Sequence, residues 1–164
     1  MTSPSAPSAP SAPLHVSPES SAGAFFTAHH RTCDMLWATI EAAVEQGDAA
    51  TARDAYAKFE SALRQHLAME EEVLFPAFEE ATGMTMGPTR VMRMEHVQMR
   101  GLLAQMASAA ATDLDALLEH GDTLLMITQQ HNLKEEGVLY PMVDAHLGSA
   151  WPQIAQRLEG YLAT

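Results

Sequence analysis

His66-Leu67-Ala68-Met69-Glu70-Glu71-Glu72-Val73-Leu74-Phe75-Pro76 returns 65 residues later as His131-Asn132-Leu133-Lys134-Glu135-Glu136-Gly137-Val138-Leu139-Tyr140-Pro141. Both copies follow His-x-x-x-Glu-Glu-x-Val-Leu-aromatic-Pro. A spacing of four brings His and Glu one above the other on a single helix face, about 6 Å apart along the axis. A helix that offers an imidazole and a carboxylate in this way can serve one metal ion.

The repetition reaches further back along the chain. His30 lies 36 residues before His66, and His96 lies 35 before His131. The chain is therefore two copies of a lone histidine followed by His-x-x-x-Glu, and internal repetition of this kind constrains the fold before any other signal. Four helices would contribute His30, His66, Glu70, His96, His131 and Glu135. The host this implies is all-α: an antiparallel, up-and-down four-helix bundle with a metal centre between its helices.

Residues 1–17 repeat Ser-Ala-Pro and have almost nothing to bury, so a disordered tail is expected there, His15 included. The bundle domain is expected over 18–164. Ser17-Pro18-Glu19 reads as a helix start, and Gly47 as its stop. The inward stripe of this first helix is Phe26, His30, Cys33, Trp37, Ile40 and Val44. Asp48 should cap the second helix, whose stripe is Phe59, Leu63, His66, Glu70, Val73 and Ala77. Pro76 should kink or end it, and residues 83–88 read as a loop. The third helix follows with Met92, His96, Met99, Leu103 and Met106 inward. After a break at Thr112-Asp113, the fourth carries Leu124, Thr128, His131, Glu135, Val138 and Met142, with a second kink at Pro141. Gly148 stops it, and a short terminal helix packs through Trp151, Ile154, Leu158 and Leu162.

Composition narrows the function. Lys and Arg number 9 against 21 Asp and Glu, a formal net charge of −12, which disfavours nucleic acid as a partner. No apolar run approaches the roughly 18 residues of a membrane span, and no secretory signal is legible at the N-terminus. Cys33 is the single cysteine, so no internal disulfide forms and a reducing, cytoplasmic setting is expected.

Two buried carboxylates and four inward imidazoles are costly without a cation to meet them. Imidazole with carboxylate suits iron, zinc or manganese. Six such donors exceed one tetrahedral zinc and match two non-haem irons, each with two histidines, with both glutamates and an oxo or hydroxo group bridging. Glu71 and Glu136 can offer a further oxygen. A ferritin-like site needs Glu-x-x-His and a zinc metalloprotease His-Glu-x-x-His, and both motifs are absent.

These residues carry a resemblance. Over about residues 20 to 145 the chain resembles hemerythrin-like proteins of the HHE cation-binding kind, whose di-iron domain uses His, His-x-x-x-Glu, His, His-x-x-x-Glu. The resemblance implies metal binding by His30, His66 and Glu70 from the first half, and by His96, His131 and Glu135 from the second. It also shows departures. Oxygen-carrying hemerythrins have a histidine where this chain has Arg100, and they space the last carboxylate five residues from its histidine, which here is Glu136. The fourth-helix donor is thus Glu135 or Glu136; Glu135 is favoured because it mirrors Glu70. Fewer imidazoles imply more open, more reactive iron.

The remaining candidates have plainer readings. His29 points about 100° from His30 and is expected beside the site or at the surface. His120 lies roughly 16 Å along its helix from His131 and His146 at the surface. Cys33, Met99 and most of the methionines read as core, while Tyr56 and Tyr140 are candidates to tune the pocket by hydrogen bonding, with no position assigned to them. The function expected is binding of dioxygen, nitric oxide or peroxide at an open iron position, for sensing, detoxification or iron handling. A protein partner would receive the signal or the iron. The alternatives are an enzyme turning over peroxide, nitric oxide or iron, and a metal-stabilised interaction module.

Overall fold

In the computed structural model, Val16 and residues 20–163 are described, and among them there is no strand. Of the expected tail over 1–17 only Val16 is described, and it is buried in the core rather than free. The rest of that stretch and the expected Ser17-Pro18-Glu19 start lie outside the described residues. The first helix, α1, spans Ala22–Glu45, with the Ser21 hydroxyl accepting from the Ala24 N–H at 3.1 Å. Gly47 turns the chain at φ 71°, a left-handed conformation that side chains other than glycine's resist. Asp48 then caps α2 (Ala49–Met69) through the Thr51 N–H. After α3 (Phe75–Thr82), Pro88 opens α4 (Pro88–Thr112). Asp113 ends α4 and caps α5 (Leu114–Lys134). Next come α6 (Tyr140–Leu147), a 3₁₀ turn over Gly148–Ala150, and α7 (Trp151–Leu162).

The two motif prolines neither end their helices nor act alone. Each follows a five-residue π-helical segment, Glu70–Leu74 before α3 and Glu135–Leu139 before α6. The Phe75 N–H reaches back to the Glu70 carbonyl, and that of Tyr140 to Glu135, one residue further than in an α-helix. Each widened turn absorbs one extra residue, which rotates everything beyond it by about 100°. The inward stripes change accordingly. Phe78 is buried in place of Ala77, and Leu139 and Val143 in place of Val138 and Met142, with Val138 57% exposed. The expectation for those three positions fails because a strict 3.6-residue period does not hold across a π turn.

Four long helical runs form the bundle: α1, α2 through α3, α4, and α5 through α6. Helix α1 lies along α2, and α4 along α5. Every run is apolar at both ends of its inner face. Phe26, Val73, Phe75, Met92 and Tyr140 belong to one buried cluster, which Trp151, Ile154 and Leu158 of α7 complete. Trp37, Leu63, Met99, Leu103 and Leu124 belong to the other. Between them lies one layer of histidine and glutamate, so the polar groups are sealed by hydrocarbon above and below. None of the described helices is long and apolar enough to cross a membrane.

Candidate metal centre

His30, His66, His96, His131, Glu70 and Glu135 all meet in that layer, and none exceeds 5% exposure. The imidazoles face each other in pairs. His30 Nε2 lies 3.1 Å from His66 Nε2, and His96 Nε2 lies 3.1 Å from His131 Nε2. The carboxylates span the two pairs. Glu70 Oε2 is 3.4 Å from His66 Nε2 and 3.3 Å from His96 Nε2. Glu135 presents Oε1 to His131 at 3.0 Å and Oε2 to His30 at 3.2 Å. Glu135 thereby belongs to two groups with metal-binding geometry, one with Glu70, His96 and His131, the other with His30 and His66.

Contacts on the far side of the rings fix where their hydrogens sit. His30 Nδ1 is 2.8 Å from Glu136 Oε1, His96 Nδ1 is 2.8 Å from Glu71 Oε1, and His131 Nδ1 is 2.7 Å from Glu95 Oε2. An ionised carboxylate only accepts, so each of these Nδ1 atoms carries a hydrogen and the neutral ring presents a lone pair at Nε2. Arg100 donates to Glu71 at 2.9 Å, and Lys134 pairs with Glu95. Arg100 therefore steadies the carboxylate behind His96.

The charge states follow from these neighbours. Burial works to lower the His96 pKa, but the Glu70 and Glu71 carboxylates outweigh it and lift it to about 9. His30 and His131 are raised in the same way, against burial, chiefly by Glu135. His66 is lowered by burial. Burial also disfavours the Glu70 carboxylate, yet His66 and His96 hold it well below the usual range. Without a cation, His30, His96 and His131 are held toward their protonated forms beside buried carboxylates in a dry interior.

The donor set fits a metal. Two donors about 2.1 Å from one ion at a right angle are about 3 Å apart, which is the spacing within each imidazole pair. Glu70 Oε2 and Glu135 Oε1 are buried and receive no hydrogen bond, as expected of oxygens that serve an ion. The family model of the hemerythrin HHE cation binding domain matches residues 22–143. The chain belongs to this family. No curated protein and no solved structure matches it significantly.

Within this HHE domain the other sequence candidates take distinct places. Glu135 lies inside the layer, whereas Glu136 stands behind His30 and Glu71 behind His96. His29 is buried, stacked on His66 at 5.2 Å between ring centres; burial and His66 push its pKa down to about 3. Cys33 is buried in the core beside the layer, where burial lifts its thiol to about 12. Tyr56 does not reach the site and donates instead to the Leu103 carbonyl at 2.9 Å. Tyr140 does reach it, donating toward Glu70 Oε1 at 2.6 Å and Glu135 Oε2 at 2.9 Å. His120 is half-buried and His146 exposed, its ring edge against Phe78. Glu95 is the residue that sequence reasoning missed; its adjacency to His96 was the available signal.

Proposed function

We propose that this HHE domain holds two non-haem irons, one between His30 and His66 and one between His96 and His131. Glu70, Glu135 and an oxo or hydroxo group would bridge them. An open position there takes dioxygen, nitric oxide or peroxide, in sensing, detoxification or iron handling, with a protein partner receiving the signal or the iron. The observation that carries this reading is the pairing of four Nε2 atoms at 3.1 Å across two fully buried carboxylates. The single-residue connection at Asp113 and the short one after Glu45 support an up-and-down, antiparallel order for the helices.

Iron bound there supplies redox chemistry and a Lewis-acidic position for a small ligand. The chain supplies the rest. Glu71, Glu95 and Glu136 orient three imidazoles, and the apolar clusters on either side exclude bulk water. A cleft of about 390 Å³, lined by Arg31, Gln129, Asn132 and Glu136, reaches His30. A neighbouring cleft of about 370 Å³ reaches Tyr140. The clefts bring solvent to the flank of the buried layer, and that nearness favours ligand binding over a metal that merely ties the bundle together.

The test is metal content and absorption of protein purified with iron. About two irons per chain are expected from the donor count, with oxo-bridge charge-transfer bands that change reversibly on adding nitric oxide. Replacing both Glu70 and Glu135 by alanine should abolish the iron and the bands. Iron loading unaltered in that double variant would overturn the assignment.

A further inference from the structure

The two halves of the repeat differ by one hydroxyl at the centre. Phe75 and Tyr140 occupy the same position in the duplicated motif, nine residues after its histidine. Their rings do the same thing. Phe75 stacks on His96 with ring centres 5.7 Å apart at 26°, and Tyr140 stacks on His30 at 5.7 Å and 25°. The π turns thus place each aromatic against the lone histidine of the opposite half, and only one of the two carries an oxygen into the layer.

That oxygen sits among acceptors. Tyr140 Oη is 2.6 Å from Glu70 Oε1, 2.9 Å from Glu135 Oε2 and 3.2 Å from His30 Nε2. In the neutral, metal-binding form of His30 the hydrogen is on Nδ1, toward Glu136, so its Nε2 offers only a lone pair. A phenol has one hydrogen and can give it to one neighbour at a time. The other contacts bring lone pair against lone pair inside a dry core, the arrangement a cation resolves. The separations also agree with donors sharing an ion, since about 3 Å is expected between neighbours on one coordination sphere.

We propose that the Tyr140 hydroxyl oxygen is a seventh protein donor, bound to the metal that His30 and His66 hold. Binding exchanges the O–H bond for an O–metal bond, and the proton leaves to solvent. The metal at His96 and His131 faces the Phe75 ring and has one fewer protein donor, so the two positions are chemically distinct. This rests on the two-iron reading above.

The experiment uses aerobically purified, iron-loaded full-length protein. A tyrosinate-to-iron charge-transfer band is expected in the visible spectrum, with tyrosine ring modes enhanced by resonance Raman excitation within it. Mössbauer spectra should show two iron environments in equal amount. Tyr140→Phe should lose the band and the ring modes while retaining iron. Should that variant lose iron or fail to fold, wild-type protein grown with ring-deuterated tyrosine decides. Its enhanced modes must shift, and of the three tyrosines only Tyr140 touches the cluster. Two irons per chain with no tyrosine modes, or with modes that persist in Tyr140→Phe, would overturn the seventh donor and leave the two-iron reading standing. A wild-type protein that takes up no iron would overturn both.

Discussion

Arg93 donates from Nη1 to the backbone carbonyl of Glu71 at 3.1 Å, supplying the partner that Pro76 cannot. In the π ladder that carbonyl would look to residue 76, and proline has no N–H. The same guanidinium pairs with Glu79 at 3.2 Å and lies 5.4 Å from the centre of the Phe75 ring, which itself stacks on His96. One side chain of α4 therefore repairs the break in the second helix and braces the aromatic behind the histidine and glutamate layer.

Arg93→Met should accordingly destabilise the protein by about 1 to 2 kcal/mol, the cost of an orphaned carbonyl in a half-exposed setting. Urea unfolding checks this, with iron content expected to stay near the wild-type level. A variant of wild-type stability would mean that water serves the Glu71 carbonyl equally well.

Glu95 accepts from His131 Nδ1 and pairs with Lys134, so it sets the ring orientation without entering the centre. Contacts of this kind are worth about 10- to 100-fold in metal affinity. Glu95→Ala should weaken iron retention against a chelator by that range, and Glu95→Gln, which keeps an acceptor oxygen, by less. Equal retention in all three proteins would show that His131 is held by packing alone.

The four apolar seams and the duplicated motif were legible because helix period and repeat spacing are properties of the chain itself. His30, His66, His96 and His131 fall on those seams, and all four are buried. Beyond Glu70 and Glu135 the reading slips by one residue, at Ala77, Val138 and Met142. A proline announces a fault in the ladder, but not whether the chain answers with a kink, a stop or a widened turn. Glu95 was hidden for another reason. It lies about 100° from the face that carries His96, and only the packing of α4 on α5 decides that this flank is partly interior.

Titration of the histidines predicts how pH governs both stability and loading. Metal-free His96 has its pKa raised to about 9, above the unfolded value of about 6.5. Its contribution is complete below pH 6.5 and is lost as pH rises through about 9. His29, depressed to about 3, works the opposite way: its contribution is present above 6.5 and is lost as pH falls toward 3. Metal-free protein should therefore be most stable near neutrality, as melting curves across pH would show. With iron bound at His96 as proposed, the His96 proton must leave, so affinity should climb about tenfold per pH unit for each proton released, levelling near pH 9. Chelator competition at pH 6, 7 and 8 tests the sign, and a flat profile would contradict it.

Gly121 and Gly101 offer one substitution with opposite outcomes. A Cβ on Gly121 would lie 1.9 Å from Trp37 Cη2 and 2.2 Å from Cζ2. The indole, buried among Phe59, Leu63 and Leu124, lies directly on the α5 backbone. A rigid ring in a packed core cannot yield that distance locally, so Gly121→Ala should cost about 1 to 3 kcal/mol or more by overpacking. A Cβ on Gly101 meets nothing within 4 Å, and this exposed residue lies within α4. Gly101→Ala should stabilise the protein by about 0.5 to 1 kcal/mol through helix propensity alone. Adding Trp37→Leu to Gly121→Ala should recover part of the loss, because the leucine vacates the space the ring held. Were the two alanines to shift the unfolding midpoint in the same direction, close approach of Trp37 to α5 would not be what excludes a side chain at 121.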